Sequence, residues 1–202
     1  MNKPIKRALS QTRLSLTERE DCRMIINRLR LNIINLHAPY RVWQKPEKLN
    51  HYYFVSDSGA IFNIDFTLNN AFVPSGAFEF SITNERHGRS PLDKKLKQTI
   101  FAIIEEFFEQ NNEVVLYLTA TGDGKQAFRH RLFVRWFNTY ERRDQYYMQT
   151  AEGRMDGQIN FVAIFSRLKC PKLPQAIEEF SETISLLFDI DDENRKTPNN
   201  AL

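Results

Sequence analysis

Two stretches of the chain carry a large apolar residue at every second position. Phe62, Ile64, Phe66 and Leu68 alternate with Asn63, Asp65 and Thr67, and Phe78, Phe80 and Ile82 alternate with Glu79, Ser81 and Thr83. Successive side chains of a strand point to opposite faces, so each stretch predicts a strand with one dry and one wet face. Residues 52–55 make a shorter strand before them. Asp57-Ser58-Gly59 marks the first turn, and Asn69-Asn70 with Pro74-Ser75-Gly76 marks a longer loop. Together they predict an antiparallel meander, and its dry face must be covered by another layer.

The period then changes. Leu92, Leu96, Ile100, Ile103, Ile104, Phe107 and Phe108 recur at helical spacing between Ser90-Pro91 and Asn111-Asn112. Residues 114–118 are all apolar, which suits a strand covered on both faces. Residues 145–151 and 158–166 read as a hairpin, and Leu173, Ile177, Phe180, Ile184 and Leu187 as a last amphipathic helix. Upstream, Ser15-Leu16-Thr17-Glu18 and Thr17-Glu18-Arg19-Glu20 both fit a capping box. The apolar series Cys22, Ile25, Ile26, Leu29, Ile33 and Leu36 extends that start into a helix over 18–36, ended before Pro39.

The expected organisation is a disordered basic arm (1–14), an N-terminal amphipathic helix segment (15–38), a single α+β domain (39–190) and a disordered tail (191–202). Within the domain a mostly antiparallel sheet, meander plus hairpin, carries helices on one face. Residues 37–50 read as a linker, so the N-terminal helix is expected to be separable from the body. Sixteen phenylalanines supply bulk for the core.

No apolar run approaches the length of a membrane span, and no apolar signal core follows the basic start. Cys22 and Cys170 form neither a metal-type pair nor a disulfide framework, which points to a reducing, cytoplasmic setting. Charge is unevenly placed. Residues 1–48 hold 11 Lys and Arg against 4 Asp and Glu, whereas residues 173–193 hold 7 Asp and Glu and no Lys or Arg. Such asymmetry suggests an anionic partner at the basic end, contact between the two ends, or two solvated faces of opposite sign.

The segment "TATGDGKQAFRHRLFVRWF", residues 119–137, has the look of a phosphate loop. A Walker-type loop needs a Gly five residues before its Gly-Lys pair and a Ser or Thr after it. Thr119 and Gln126 occupy those positions. Asp123 instead suits an N-cap, with Gln126 in the reciprocal position and glycines at 122 and 124 for the turn. In the helix that follows, Phe128, Leu132, Phe133, Trp136, Phe137 and Tyr140 form an aromatic stripe expected to face the core, Trp136 largely buried. The basic residues there are Lys125, Arg129, Arg131, Arg135, Arg142 and Arg143. They read as a solvated face, a dock for acidic segments such as the last helix, or a phosphate-contacting surface. Lys125, Arg129, Arg131 and Arg135, with Arg19, Arg23 and Arg30 on the N-terminal helix, are the candidate anion- or partner-contacting residues.

His37, His51, His87 and His130 are scattered, without the spacing of a zinc site. Neither a Gly-x-Ser-x-Gly elbow nor a nucleophilic cysteine context is present. Asp65, Glu79, Asp123 and Lys125 could be assembled into a metal-dependent phosphodiesterase, but they are spread over separate elements. No catalytic residue, metal or cofactor is assigned.

The Tyr52-Tyr53-Phe54 strand with Ser58-Gly59, together with Asp123-Gly124-Lys125, Arg131-Leu132-Phe133 and Arg135-Trp136-Phe137, resembles a bacterial family of unknown function over about residues 50–165. The resemblance implies no activity; it implies a regulatory, antitoxin-like or defence-accessory setting. The expected function is non-enzymatic binding of a protein partner or a second copy of the chain, with the basic N-terminal arm and helix as the interaction element. Nucleic-acid binding through the basic arm and the Arg-rich helix is the alternative, and a metal-dependent phosphodiesterase the third. No membrane partner is expected.

Overall fold

The computed structural model describes residues 26–85, 94–119, 123–155 and 158–188. In chain order these form α1 (Leu31–His37), β1 (Val42–Gln44), β2 (His51–Val55), β3 (Ile61–Asn69), β4 (Ala77–Asn84), α2 (Lys94–Gln110), β5 (Val115–Leu118), α3 (Gln126–Asn138), a 3₁₀ turn (Arg143–Gln145), β6 (Tyr146–Met155), β7 (Gln158–Arg167) and α4 (Leu173–Leu187). The strands make one sheet in the order β1-β2-β3-β4-β5-β7-β6. All neighbours are antiparallel except β4 and β5, which run parallel. A parallel pair cannot be joined by a tight turn, and α2 supplies the crossover. β5 and β6 both oppose β7, so they too point the same way, and α3 connects them. The α+β class, the meander and the hairpin are as the sequence predicts.

Alternation along each strand divides the apolar side chains into two clusters. Phe62, Ile64, Phe66, Phe78, Phe80, Val115, Tyr117, Ala163 and Phe165 lie with Leu96, Ile100, Ile103 and Phe107 of α2 and Phe133 and Phe137 of α3. The rings of Phe66 and Phe107 stack at 4.3 Å between centroids. Leu116, Val162 and Ile164 point the other way and pack on Leu173, Ala176 and Phe180 of α4. The expectation of helices on one face therefore holds for α1 to α3 alone. α4 covers the opposite face of β5 and β7, which is why residues 114–118 are apolar throughout. This placement also removes the last helix as a dock for the basic helix α3, because the sheet lies between them.

The N-terminal segment departs from expectation. A continuous helix over 18–36 does not form. Residues 26–30 are irregular, Arg30 is extended (φ −85°, ψ 99°), and α1 begins only at Leu31. The break lets residues 26–30 meet the end of α2. The side-chain oxygen of Asn111 accepts from the Asn27 backbone at 2.8 Å, and Asn27 Nδ2 donates to the Gln110 carbonyl at 2.7 Å. Leu29 and Ile34 enter the main cluster. The segment is thus part of the body rather than a separable element. The capping boxes, Arg19, Arg23, the basic arm and the tail from 191 lie outside the described residues. The presumed linker is also partly structured. Residues 42–44 add β1 to the edge of β2, and Asn35 holds Val42 by two hydrogen bonds, donating to its carbonyl at 2.9 Å and accepting from its N–H at 2.7 Å.

Candidate functional site

Among the described residues, β4–β5 is the one parallel joint in the sheet. Its register runs from Phe78–Val115 to Phe80–Tyr117 and stops. β4 nevertheless stays paired with β3 as far as Asn84, and β5 stays paired with β7 through Leu118. Thr119 extends that pairing, its N–H donating to the Phe161 carbonyl at 3.1 Å. Among the described residues, the two neighbours thus lose their pairing beyond Phe80 and Tyr117 while each keeps its outer partner, which leaves a fork at their carboxyl ends.

The direction of the main-chain groups in the fork follows from register. Phe78 N–H donates to the Val114 carbonyl at 2.9 Å, and Glu85 N–H donates to the Ile61 carbonyl at 3.0 Å. Alternate residues of an unbroken antiparallel strand bond to opposite sides. Even-numbered residues of β4 therefore turn their main-chain groups toward β5, and odd-numbered residues toward β3. Ile82 presents its N–H and C=O to the fork. By the same parity Thr119 faces β7, and the Leu118 carbonyl turns to the fork from the other side.

Phe133 of α3 closes the apex on one face. Its ring stacks on Tyr117 at 4.1 Å and lies 6.5 Å from Phe80. Tyr117 is buried, and burial pushes its phenol up to about 12, with Arg129 acting in the opposite sense. The hydroxyl is therefore neutral and protonated at physiological pH.

The turn before α3 is built differently from a capping box. Gly124 takes φ 69°, a conformation open to glycine at little cost. The Asp123 carboxylate accepts from the Lys125 N–H at 3.1 Å, but α3 starts at Gln126 with Lys125 in the N-cap position. Asp123 thus forms an Asx turn two residues before the cap. Both its oxygens also accept from Arg129. Gly122 lies outside the described residues. The aromatic stripe divides: Phe133 and Phe137 are buried, Leu132, Trp136 and Tyr140 are half-buried, and Phe128 is 52% exposed. Trp136 packs against the main cluster as a partly buried side chain, whereas the expectation of an inward Phe128 is corrected: its ring lies on the solvent side of α3.

The candidate cations fall into two groups. Arg129 pairs with Asp123 and Arg30 with Glu106; elsewhere Arg142 pairs with Glu105 and Arg167 with Glu109. Lys125, Arg131 and Arg135 make no ion pair among the described residues. Arg131 and Arg135 line an open groove on the outer side of α3 with His130, Val134, Asn138 and Thr139.

The carboxylates considered for a metal are engaged elsewhere. Asp65 accepts from or pairs with His51 Nδ1 at 2.6 Å, Glu79 accepts from Asn69 at 2.7 Å, and Asp123 is held by Arg129. Among the described residues no group of three or more His, Cys, Asp or Glu could hold a metal ion. Sequence spacing missed His51 as a partner. It is buried on the sheet face opposite α1 to α3, between Asp65 and Asn63, whose Oδ1 lies 3.0 Å from Nε2. Only the β2–β3 register, His51 opposite Asp65, brings these residues together. No helix among the described residues is long and apolar enough to cross a membrane.

Residues 92–182 match the model of a family of unknown function, DUF6169. The match takes in α2, β5, α3, β6, β7 and most of α4, and with them the Asp123-Gly124-Lys125 and Arg135-Trp136-Phe137 motifs; the aromatic strand at 52–54 lies before it. Among curated proteins and among solved structures, none matches the chain.

Proposed function

We propose that this protein binds a slender, unbranched, amide-bearing ligand that enters end-on between β4 and β5, and that the ligand class is an acyl thioester on a pantetheine arm, as in coenzyme A derivatives. The observation that carries the proposal is the parting of β4 from β5 beyond Phe80 and Tyr117. A main-chain edge whose donors and acceptors find no partner among the described residues is a template for groups that carry amides. In sheets with parallel strands joined by helices, ligands settle beyond the carboxyl ends of the strands. The shape of the fork favours a thin arm over a peptide strand. An inserted peptide needs room for side chains on both faces, and Phe133 fills one face at the apex. Lys125 at the start of α3 and the neutralisation of Asp123 by Arg129 favour a ligand with negative charge at its outer end. The cytoplasmic setting expected from the cysteines is part of the same proposal.

The test is calorimetric titration with acetyl-coenzyme A, coenzyme A and an extended acetylated peptide. The variant is Ile82→Pro, which removes the N–H that faces the fork but none of the bonds between β3 and β4. The expected result is binding of both coenzyme forms, weakened tenfold or more in Ile82→Pro with the fold retained. Absence of binding, or equal binding by a folded Ile82→Pro, overturns the proposal.

The protein-partner reading drawn from the sequence remains a second proposal. Its support is β6, a ten-residue strand that pairs only with β7 among the described residues. A long strand edge accepts an added strand from another chain or from a second copy. Binding of the peptide alone in the titration, or dimerisation in light scattering abolished by proline at Thr150, would favour it.

A further inference from the structure

α3 carries Phe128, Arg131 and Arg135 at spacing i, i+3 and i+7, which places them on one helical face. Phe128 is the only exposed large apolar residue of this helix, and both arginines are exposed and without a carboxylate among the described residues. Lys97 of α2 adjoins the groove at Thr139, with Nζ donating to Thr139 Oγ1 at 2.8 Å and to the Thr139 carbonyl at 3.2 Å. Its ammonium is shifted down by partial burial first, with Arg135 acting in the same sense and Glu141 opposing. Like charges gathered on one surface favour an anion between them.

We propose that this groove binds single-stranded nucleic acid, with the sugar–phosphate backbone along Arg131, Arg135 and Lys97 and a base stacked on Phe128. The site is on the outer side of α3 and is independent of the fork. A protein interface is built with an apolar core and a polar rim. Here the order is reversed: cations line the groove and one exposed aromatic ring stands beside them. Cations that follow a backbone, interleaved with an aromatic platform, are what sequence-tolerant binding of single strands requires. The planar guanidinium groups meet phosphate oxygens in bidentate fashion.

Fluorescence anisotropy with a labelled oligo-dT of about 15 nucleotides, comparable to the longer single-strand site sizes, tests this. Wild-type protein is expected to bind, and to bind less as salt rises. Arg131→Gln and Arg135→Gln should each lower the magnitude of the log–log salt slope by about 0.7, the value for one phosphate of a single strand. Phe128→Ala should weaken binding roughly five- to a hundredfold, the range of one lost stacked base, with little change in slope. Melting curves of all three variants should stay close to wild type, since the replaced side chains are exposed. No binding at low salt, or unchanged binding in the three variants, overturns the proposal. Tighter binding of poly-glutamate than of the oligonucleotide also overturns it, and assigns the groove to an acidic protein segment instead.

Discussion

Arg30 closes on Glu106 through Nε to Oε1 at 2.8 Å and Nη2 to Oε2 at 3.2 Å, and the Arg30 backbone N–H donates to the same Oε1 at 3.0 Å. The glutamate side chain is 2% exposed and the arginine 52%. A buried carboxylate on α2 therefore depends for its partner on a residue that precedes α1. Removing one partner of such a pair leaves an uncompensated buried charge, so the loss exceeds that of an ordinary surface pair. Arg30→Ala is expected to lower the melting temperature clearly more than Arg28→Ala, whose side chain makes one exposed bond to Gln44. The double change Arg30→Ala with Glu106→Gln should recover part of the loss. Equal melting temperatures for the two single variants would show that Glu106 finds water in place of Arg30.

The two large aromatics of α3 make a second comparison. Phe133 is buried between Tyr117, Phe80 and Phe165, whereas Trp136 is half-buried at the margin of the cluster. Phe133→Ala is expected to cost about 3–5 kcal/mol in urea unfolding. Trp136→Ala should cost distinctly less, because part of its surface is already hydrated in the folded state. A larger loss for Trp136 would place the helix in a different rotation.

β6 meets the end of α4 at Gly153. A Cβ built there would overlap the Phe188 ring, which is itself 3% exposed. Gly153→Ala is expected to displace that ring and cost about 1–3 kcal/mol, the usual range for overpacking. Adding Phe188→Ala to the alanine variant should cost less than Phe188→Ala in the wild type, since the ring is already displaced. Thermal unfolding of the four proteins in the cycle checks this, and additive losses would mean that Phe188 moves aside freely.

The sheet was legible where one face is dry and the other wet. Phe62, Ile64 and Phe66 alternate with polar residues, and that alternation identifies strand, face and partner layer at once. α1 was overextended for a related reason. Ile25, Ile26, Leu29 and Ile33 fit a helical stripe, but Leu29 is buried from an irregular segment, and apolar spacing alone does not distinguish the two. β1 escaped notice because three residues are too few to show a period. The fork could not be read at all. It depends on where the β4–β5 pairing ends, and Ser81, Ile82 and Thr83 look like any continuation of a strand. The basic residues of α3 were visible, but their division into Arg129, paired with Asp123, and Arg131 and Arg135, without an ion pair among the described residues, needed the position of Asp123 in three dimensions.

Asp123 gives the last prediction. Its carboxyl is held down to about 2, first by the Arg129 side chain and then by the Lys125 N–H. An unfolded aspartate titrates near about 3.9. The folded value is the lower one, so the pair contributes stability that is fully present above the unfolded value and is lost as pH falls toward about 2. Both groups are accessible to solvent, so the contribution is screened and should shrink with added salt. Carbon-detected NMR titration of the wild type should give a midpoint for Asp123 well below the ordinary aspartate value of about 3.9. In Arg129→Gln the Asp123 midpoint should rise toward the ordinary aspartate range, while the backbone bond to Lys125 keeps it from reaching it fully. An unchanged midpoint in that variant would make the Asx turn, rather than the guanidinium, the main restraint on this carboxylate.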